Sequence, residues 1–547
     1  MRIKRILFTF LTLFFLSTSL YAQEDLQKVR INDFSGGQNS YDLADIIQPN
    51  QGKLVKNAII SKKGQLSKRK GQSLFAEDLS DATFVGIGRF DVDVNTSYIM
   101  VASGPFVLRS LISPASWVYV NASSEGLDPG QSSLLSTGFD TEFIQANALL
   151  AIVNGQDRPA FYNGSSWESG YNSSASPPIC ATAEWLRNYM FYAGNPTNPD
   201  WVYFSNNLTP KTLTSTDLIR VNTGDGQRII RLKAFRLNEL IVYKQRSIYI
   251  LDITGDPGVG GANWTVQPIT REVGCIAPRS VVNLGNDHWF LSSDPIAIRS
   301  LLRTSFDKIL IDMVSQPIQD IFDGTGETTI NKTYINKACA ILFDDKYILA
   351  IPTGTSNFNN YVVMYDFISK SWSTVANWYP AAWVVFNNNL YYIDAQNGRV
   401  IQCFSGTTGD FASDPTVVSA SGPTVGIEYE YVSRNMDFDN IENFKMPDAL
   451  ELEFEPSGDY NADVYIELDD GGYQNIGTIS LKGNAPTLPI NLPFNLGAGG
   501  IARKTFQIQK YGEFKKIKVR VVQNGLGELC NLHRITAFSD VKEWRRE

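Results

Sequence analysis

Leu149-Leu150-Ala151-Ile152-Val153 runs into Asn154-Gly155 and returns as Ala160-Phe161-Tyr162. An apolar run, a turn pair that tolerates positive φ and a second apolar and aromatic run describe a β-hairpin. The unit recurs in both directions. On the N-terminal side, Ile99-Met100-Val101-Ala102 turns at Ser103-Gly104-Pro105 into Phe106-Val107-Leu108. On the C-terminal side, Met190-Phe191-Tyr192 answers Trp201-Val202-Tyr203-Phe204, and Leu240-Ile241-Val242-Tyr243 answers Ile248-Tyr249-Ile250-Leu251. Trp289-Phe290-Leu291 turns at Ser293-Asp294-Pro295. Tyr347 to Ile351 pairs with Tyr361 to Tyr365, and Leu390 to Ile393 with Val400 to Cys403.

The hairpin centres are roughly 40 to 60 residues apart, the period expected when each repeat is one small four-stranded propeller blade. Trp117, Trp167, Trp264 and Trp372 follow four of the hairpins, where an outer strand would begin. A single blade cannot hide its own apolar faces, so several must stack around an axis. The count fits six or seven blades, and a single sandwich would not explain the long spacing. The fold class predicted is therefore all-β: a six- or seven-bladed β-propeller over 76–404 with a C-terminal β-sandwich.

Composition agrees. The 31 Phe, 24 Tyr, 42 Gly and 24 Pro suit short strands joined by tight turns. At 547 residues the chain exceeds what one core usually holds. A net charge of −8 argues against a general nucleic-acid binder and turns attention to protein or glycan partners. Lys4 and Arg5, the apolar stretch Ile6 to Leu20 and Leu20-Tyr21-Ala22 before Gln23 read as a signal peptide over 1–22. No later segment reads as a membrane span.

Residues 23–75 are expected to form an N-terminal arm, with Lys62-Lys63-Gly64 closing a hairpin between Val55 to Ile60 and Gln65 to Lys68. Such an arm could add a strand to a neighbouring subunit or supply an outer strand that closes the propeller. Residues 405–424, rich in Gly, Ser, Thr, Asp and Pro, read as a linker. From 425 to 547, period-two alternation in Ile427 to Tyr431 and Leu450 to Phe454 predicts the sandwich. A hairpin over Val464 to Ile479, turning at Asp469-Asp470-Gly471-Gly472, and a strand over Phe514 to Val521 complete it. A short helical period is confined to Ser315 to Phe322.

The opening segment carries distinctive punctuation: Asp33-Phe34-Ser35-Gly36-Gly37-Gln38-Asn39, then Pro49-Asn50-Gln51, Asn57-Ala58, Lys63-Gly64 and Leu66-Ser67-Lys68-Arg69-Lys70-Gly71. This resembles the opening of the tail stabilisation or tail-tube (nozzle) β-propeller proteins of short-tailed bacteriophages. Ile230 to Tyr249, Gly274-Cys275, Pro278-Arg279-Ser280-Val281 and Trp289 to Ser292 are similar too. The resemblance implies a virion structural protein that forms a ring of copies of itself against the portal or other tail proteins, with host-surface glycan as a further candidate partner. The signal peptide departs from that family, whose members assemble in the host cytoplasm. A phage protein with a genuine leader, an exported host copy and a misplaced start codon all remain open. So does a secreted propeller that binds glycan or protein. The location expected is the virion tail, or an exported one if the leader is used.

No catalytic, cofactor-binding or metal-binding residue is assigned. The two histidines, His288 and His533, read as structural, and no G-x-S-x-G elbow occurs. Cys180, Cys275, Cys339, Cys403 and Cys530 lie singly in apolar stretches without a CxxC, as buried free thiols do. Asp91-Val92-Asp93-Val94-Asn95 opens like a calcium loop but lacks the turn glycine, with Thr96 in its place, and has Ala102 where the bidentate Glu belongs. The glycine runs 258–261 and 497–500 lack a following Lys-Ser or Lys-Thr. Lys62, Lys63, Lys68, Arg69 and Lys70 read as a charged hairpin in water. A carboxylate pair for glycoside hydrolysis cannot be read from spacing.

Overall fold

The computed structural model describes residues 26–61, 64–76, 84–110, 117–121, 134–168, 176–304, 308–396, 398–406, 409–411, 425–482 and 500–541. The signal peptide and most of the linker lie outside these residues.

Seven four-stranded antiparallel units follow one another along the chain, fixing the blade count at the upper of the two values expected. Blade one comprises Phe84–Asp91, Ser97–Ser103, Phe106–Ser110 and Trp117–Tyr119. Blades two to five begin at the inner strands Glu142–Ala146, Thr182–Leu186, Ile229–Arg236 and Val282–Asn283. Blades six and seven begin at Cys339–Phe343 and Pro380–Phe386. The hairpins read from sequence are the middle strands of these blades. Trp117, Trp167 and Trp372 lie in outer strands, and Trp264 immediately precedes one.

The apolar runs explain why the blades close into a ring. Successive side chains on a strand point to opposite faces, so a strand between two neighbours must be apolar at every position. Leu150 and Ile152 pack toward blade one with Phe90 and Met100, whereas Ala151 and Val153 pack toward blade three with Met190 and Tyr192. The alternation continues around the ring. Tyr347 and Leu349 join Trp289 of blade five, while Ile348 and Ala350 join Trp383 and Tyr392 of blade seven. Blade seven returns to blade one through Val384, Tyr391 and Ile393 against Ile87, Ile99 and Val101.

Closure is also made by strand pairing: the chain ahead of blade one supplies the outer strand of blade seven. Ser73–Ala76 pairs with Val400–Gln402, with Leu74 opposite Ile401 and Ser73 opposite Gln402. Of the two roles open to the N-terminal segment, the structure shows strand closure within the same chain.

The rest of that segment is not a free arm. Gln27–Ile31, Ala58–Ile60 and Leu66–Lys68 join one sandwich sheet with Asn531–Val541, Lys445–Phe454 and Ala502–Gln507. Gln51–Lys56 joins the other, with Tyr429–Ser433, Ile517–Gln523, Asn461–Leu468 and Gln474–Ser480. Leu450, Leu452, Phe454, Val519, Val521 and Ile535 fill the space between them with Phe34, Val55 and Leu66. The sandwich therefore takes strands from both ends of the chain. The single strand expected over Val55 to Ile60 breaks at Asn57, whose φ of 54° turns it from one sheet to the other. The two strands expected on either side of Lys62-Lys63-Gly64 pair with each other, with Ala58 opposite Lys68. The sheet containing Gln51–Lys56 continues into the outer strand of blade six through Lys56 and Thr374, so propeller and sandwich share one sheet.

The punctuation of the opening segment is the wiring of this junction. Gly37 has φ 63°, and a Cβ there would lie 2.5 Å from the Trp372 carbonyl. Buried Gln38 accepts the Val55 N–H at 3.1 Å. Gly64 has φ 74° and sits against the Asp33 carboxylate. Glycine is required at Gly37 by backbone crowding as well as by dihedral angle, and at Gly64 by its dihedral angle.

Candidate functional site

Antiparallel order places the links between second and third strands, and the links between blades, at one end of the propeller. On that end, three segments enclose a cleft of 810 Å³. They are residues 327–334 ahead of blade six, residues 353–360 within it, and Tyr379 beyond it. Its walls are tied together. The Asn359 amide donates to the carbonyls of Lys337 at 2.9 Å and Pro380 at 2.8 Å. Asn331 donates to the Ser356 carbonyl at 2.9 Å, and Lys337 Nζ to the Asn357 carbonyl at 2.8 Å. Thr353 N–H and Oγ1–H both donate to Asn360 Oδ1, at 2.7 and 3.0 Å. Phe358 and Tyr379 meet edge to face with centroids 6.0 Å apart. Irregular loops held at this many points present fixed side chains.

The lining is hydroxyl, amide and aromatic. Thr328, Thr329, Thr355 and Asn357 stand beside Tyr334, Phe358 and Tyr379, and Glu327 is the single charged lining residue. One carboxylate does not supply the pair that glycoside hydrolysis uses. A smaller cleft of 510 Å³ at the opposite end, below blade four, does bring Glu239 and Asp252 opposite each other. Glu239, however, is ion-paired to Arg303 at 2.7 Å, and Asp252 Oδ1 accepts from Thr254 N–H and Oγ1–H. Both carboxylates are thus engaged in holding local structure.

The propeller axis is polar and bridged. Arg279, from the link between blades four and five, donates to the carbonyls of Val85 at 2.5 Å, Thr141 at 3.3 Å and Ala381 at 3.3 Å. Those carbonyls stand at the start of the inner strands of blades one, two and seven, so one guanidinium spans the ring. Glu142 of blade two pairs with Arg231 of blade four, and Glu184 of blade three pairs with Lys233 of blade four at 3.2 Å. The role of Arg279 is not legible from its place in the sequence, since no spacing rule points a side chain across an axis.

His288 is fully buried. Its Nε2 lies 2.9 Å from the Ala234 carbonyl and its Nδ1 2.9 Å from the Tyr243 hydroxyl, so it donates to the first and accepts from the second. Burial pushes its pKa down to about 3, which keeps the ring neutral. His533 sits beside Gln65 at 2.7 Å. All five cysteines are buried and free, and burial raises Cys275, Cys339 and Cys530 to about 12 and the other two above their ordinary value. Thiols so protonated are poor nucleophiles.

Asp93 Oδ1 caps its turn by accepting from the N–H groups of Asn95 and Thr96 at 2.7 and 2.8 Å. Asp91 accepts from Arg89 at 2.7 Å and Ser97 at 2.5 Å. Among the described residues no group of three His, Cys, Asp or Glu is placed to hold a metal ion. Residues 258–261 form a short turn, and Gly497 to Gly499 lie outside the described residues.

The basic hairpin is where sequence reading needs correction. Lys68 and Arg69 are buried rather than solvated. Lys68 Nζ donates to Gln523 Oε1 at 2.5 Å and to the Gly525 carbonyl at 3.2 Å, and burial lowers its pKa to about 8. Arg69 forks onto Asp410, a residue of the expected linker. Lys62 and Lys63 lie outside the described residues.

No family model and no curated protein matches the chain. Among solved structures it is similar to BamB from Moraxella catarrhalis at 10% identity and TM-score 0.37, over 69% of this chain and 96% of that one. A chain of a mitotic checkpoint complex matches at 9% identity and TM-score 0.37, over 62% and 95%. The Neurospora crassa Pan2 WD40 domain matches at 8% identity and TM-score 0.36, over 62% and 95%. The propeller itself is established by the order of the sheets.

Proposed function

We propose that the chain is a structural subunit of a phage-type tail, acting without catalysis through contacts with copies of itself and with adjoining tail proteins. The supporting observation is an apolar knob in the opening segment. Tyr41, Leu43 and Ile46 are exposed, Leu43 by 71% and Ile46 by 67%. Exposed apolar clusters on monomers mark interaction surfaces. The loop that carries them is fastened beneath: Lys53 Nζ donates to the carbonyls of Ser40 at 2.6 Å and Asp42 at 2.7 Å. Ser40 Oγ–H donates to Asp320 at 2.6 Å, and Asn435 donates to Asp45 at 2.5 Å. A preorganised knob loses little entropy on binding. Its occupant in this proposal is a second copy of the chain, as in a ring.

Mass photometry and electron microscopy of the purified chain test this. Rings that the double variant Leu43→Asp, Ile46→Asp reduces to monomers are expected. Monodisperse monomers of the unaltered chain, alone and with portal protein, would overturn it. A second proposal, a secreted binder of glycan or protein, is supported by the blade-six cleft.

A further inference from the structure

We propose that the blade-six cleft is a binding site for an uncharged oligosaccharide. This deepens the second functional proposal and is independent of ring assembly.

The chemistry of the lining selects this ligand class. Threonine hydroxyls and asparagine amides each both donate and accept, as sugar hydroxyls do, so a pyranose can be met at several positions without a charged group. Thr328, Thr329, Thr355 and Asn357 supply such groups on two facing walls. A pyranose also has faces made of C–H groups, which pack on aromatic rings. Tyr334 is 37% exposed at the rim, and its ring is held by Lys337 Nζ, 5.3 Å from the centroid. Phe358 and Tyr379 stand on the other side as a fixed edge-to-face pair.

Charge excludes the competing classes. No Lys or Arg lines the cleft, and Glu327 is exposed on its wall. A phosphate, sulfate or sialic acid would meet this carboxylate, while the adjacent Lys337 ammonium is already engaged by the Asn357 carbonyl at 2.8 Å and the Tyr334 ring. An apolar drug-like ligand would leave the hydroxyl groups unpaired. The 810 Å³ volume lies inside the usual range for a small-ligand site. Because three segments are pinned by Asn359 and Asn331, the site is formed before ligand arrives.

Isothermal titration and saturation-transfer NMR on the full chain, with neutral gluco-, galacto- and manno-oligosaccharides as probes, test the assignment. Sialylated and sulfated oligosaccharides serve as the charged arm. Binding to at least one neutral probe is expected, weakened roughly tenfold or more by Tyr334→Ala and by Asn357→Ala. Tyr334→Phe should retain affinity, which separates loss of the ring from loss of the fold, and circular dichroism of each variant checks folding. No neutral probe bound at millimolar concentration would overturn the proposal. So would tighter binding of the charged probes, or affinity unchanged in both alanine variants. Ring formation is scored separately by mass photometry, so the failure of either proposal is read without the other.

Discussion

Arg69 and Asp410, 341 residues apart in sequence, form a two-pronged ion pair with both side chains fully buried at the meeting point of propeller and sandwich. The Arg69 guanidinium also donates to Asn57 Oδ1 at 2.9 Å and the Ala376 carbonyl at 3.2 Å, and stacks over Trp378 at 4.8 Å. Asn57 Oδ1 in turn accepts the Ala376 N–H at 3.1 Å, and its amide donates to the Glu428 carbonyl at 2.8 Å. A single charged fork thus joins the sandwich hairpin, blade six and the chain leaving blade seven. Removing one partner strands the other charge in a dry interior. Arg69→Ala or Asp410→Ala should cost about 3–5 kcal/mol, whereas Arg69→Met with Asp410→Leu should cost less than either alone. Equilibrium urea unfolding of the three variants checks the order.

His288 makes a pH prediction. Folded, its pKa is about 3; unfolded, it is near the ordinary histidine value of 6.5. Between those values the unfolded chain binds the proton and the folded chain does not, so its contribution to stability is lost as pH falls from 6.5 toward 3. The slope is at most ~1.4 kcal/mol per pH unit. His288→Gln, whose amide can donate to Ala234 and accept from Tyr243, should flatten the decline by that amount. Identical pH profiles for the two proteins would refute the assignment.

The Arg279 bridge should matter to the whole ring. Arg279→Ala leaves three axial carbonyls without this donor and should cost about 2–4 kcal/mol. Hydrogen exchange would accelerate first at the start of the inner strands of blades one, two and seven. Acceleration confined to the 278–280 turn would show that the guanidinium does not span the axis.

Leu74→Asn should loosen the propeller at its seam. Leu74 packs against the apolar cluster shared by blades six and seven, and an amide placed there without a partner should cost about 1–3 kcal/mol. Limited proteolysis should then cut between blades seven and one ahead of the other blades.

Thiol labelling gives a simple count. The folded chain should show none of its five cysteines to a disulfide reagent at neutral pH, and all five in denaturant. Rapid labelling of one native cysteine would contradict the closed blade interfaces.

How much of this was legible before folding differs by feature. Middle strands such as Leu149 to Val153 are legible because a strand covered on both faces is apolar at every position. Blade five was read only from Trp289 to Leu291, since Val282–Asn283 is too short to show a pattern. The burial of Lys68 and Arg69 is not legible, because two charges beside a turn normally face water and their partners Gln523 and Asp410 are distant in sequence. The blade-six cleft gave no signal at all. Thr328, Asn357 and Tyr379 are ordinary loop residues until three connections converge.

The sequence by itself determined the β-class, the repeating hairpins and the burial of the five free thiols, because strand burial and residue chemistry are local properties. Only the tertiary structure decided that seven blades close through Ser73–Ala76, that one sandwich is woven from both termini, and that Arg279 crosses the axis. Those outcomes depend on which distant groups can satisfy each other's hydrogen bonds and charges once water is excluded, and nothing in the spacing along a chain encodes that choice of partner.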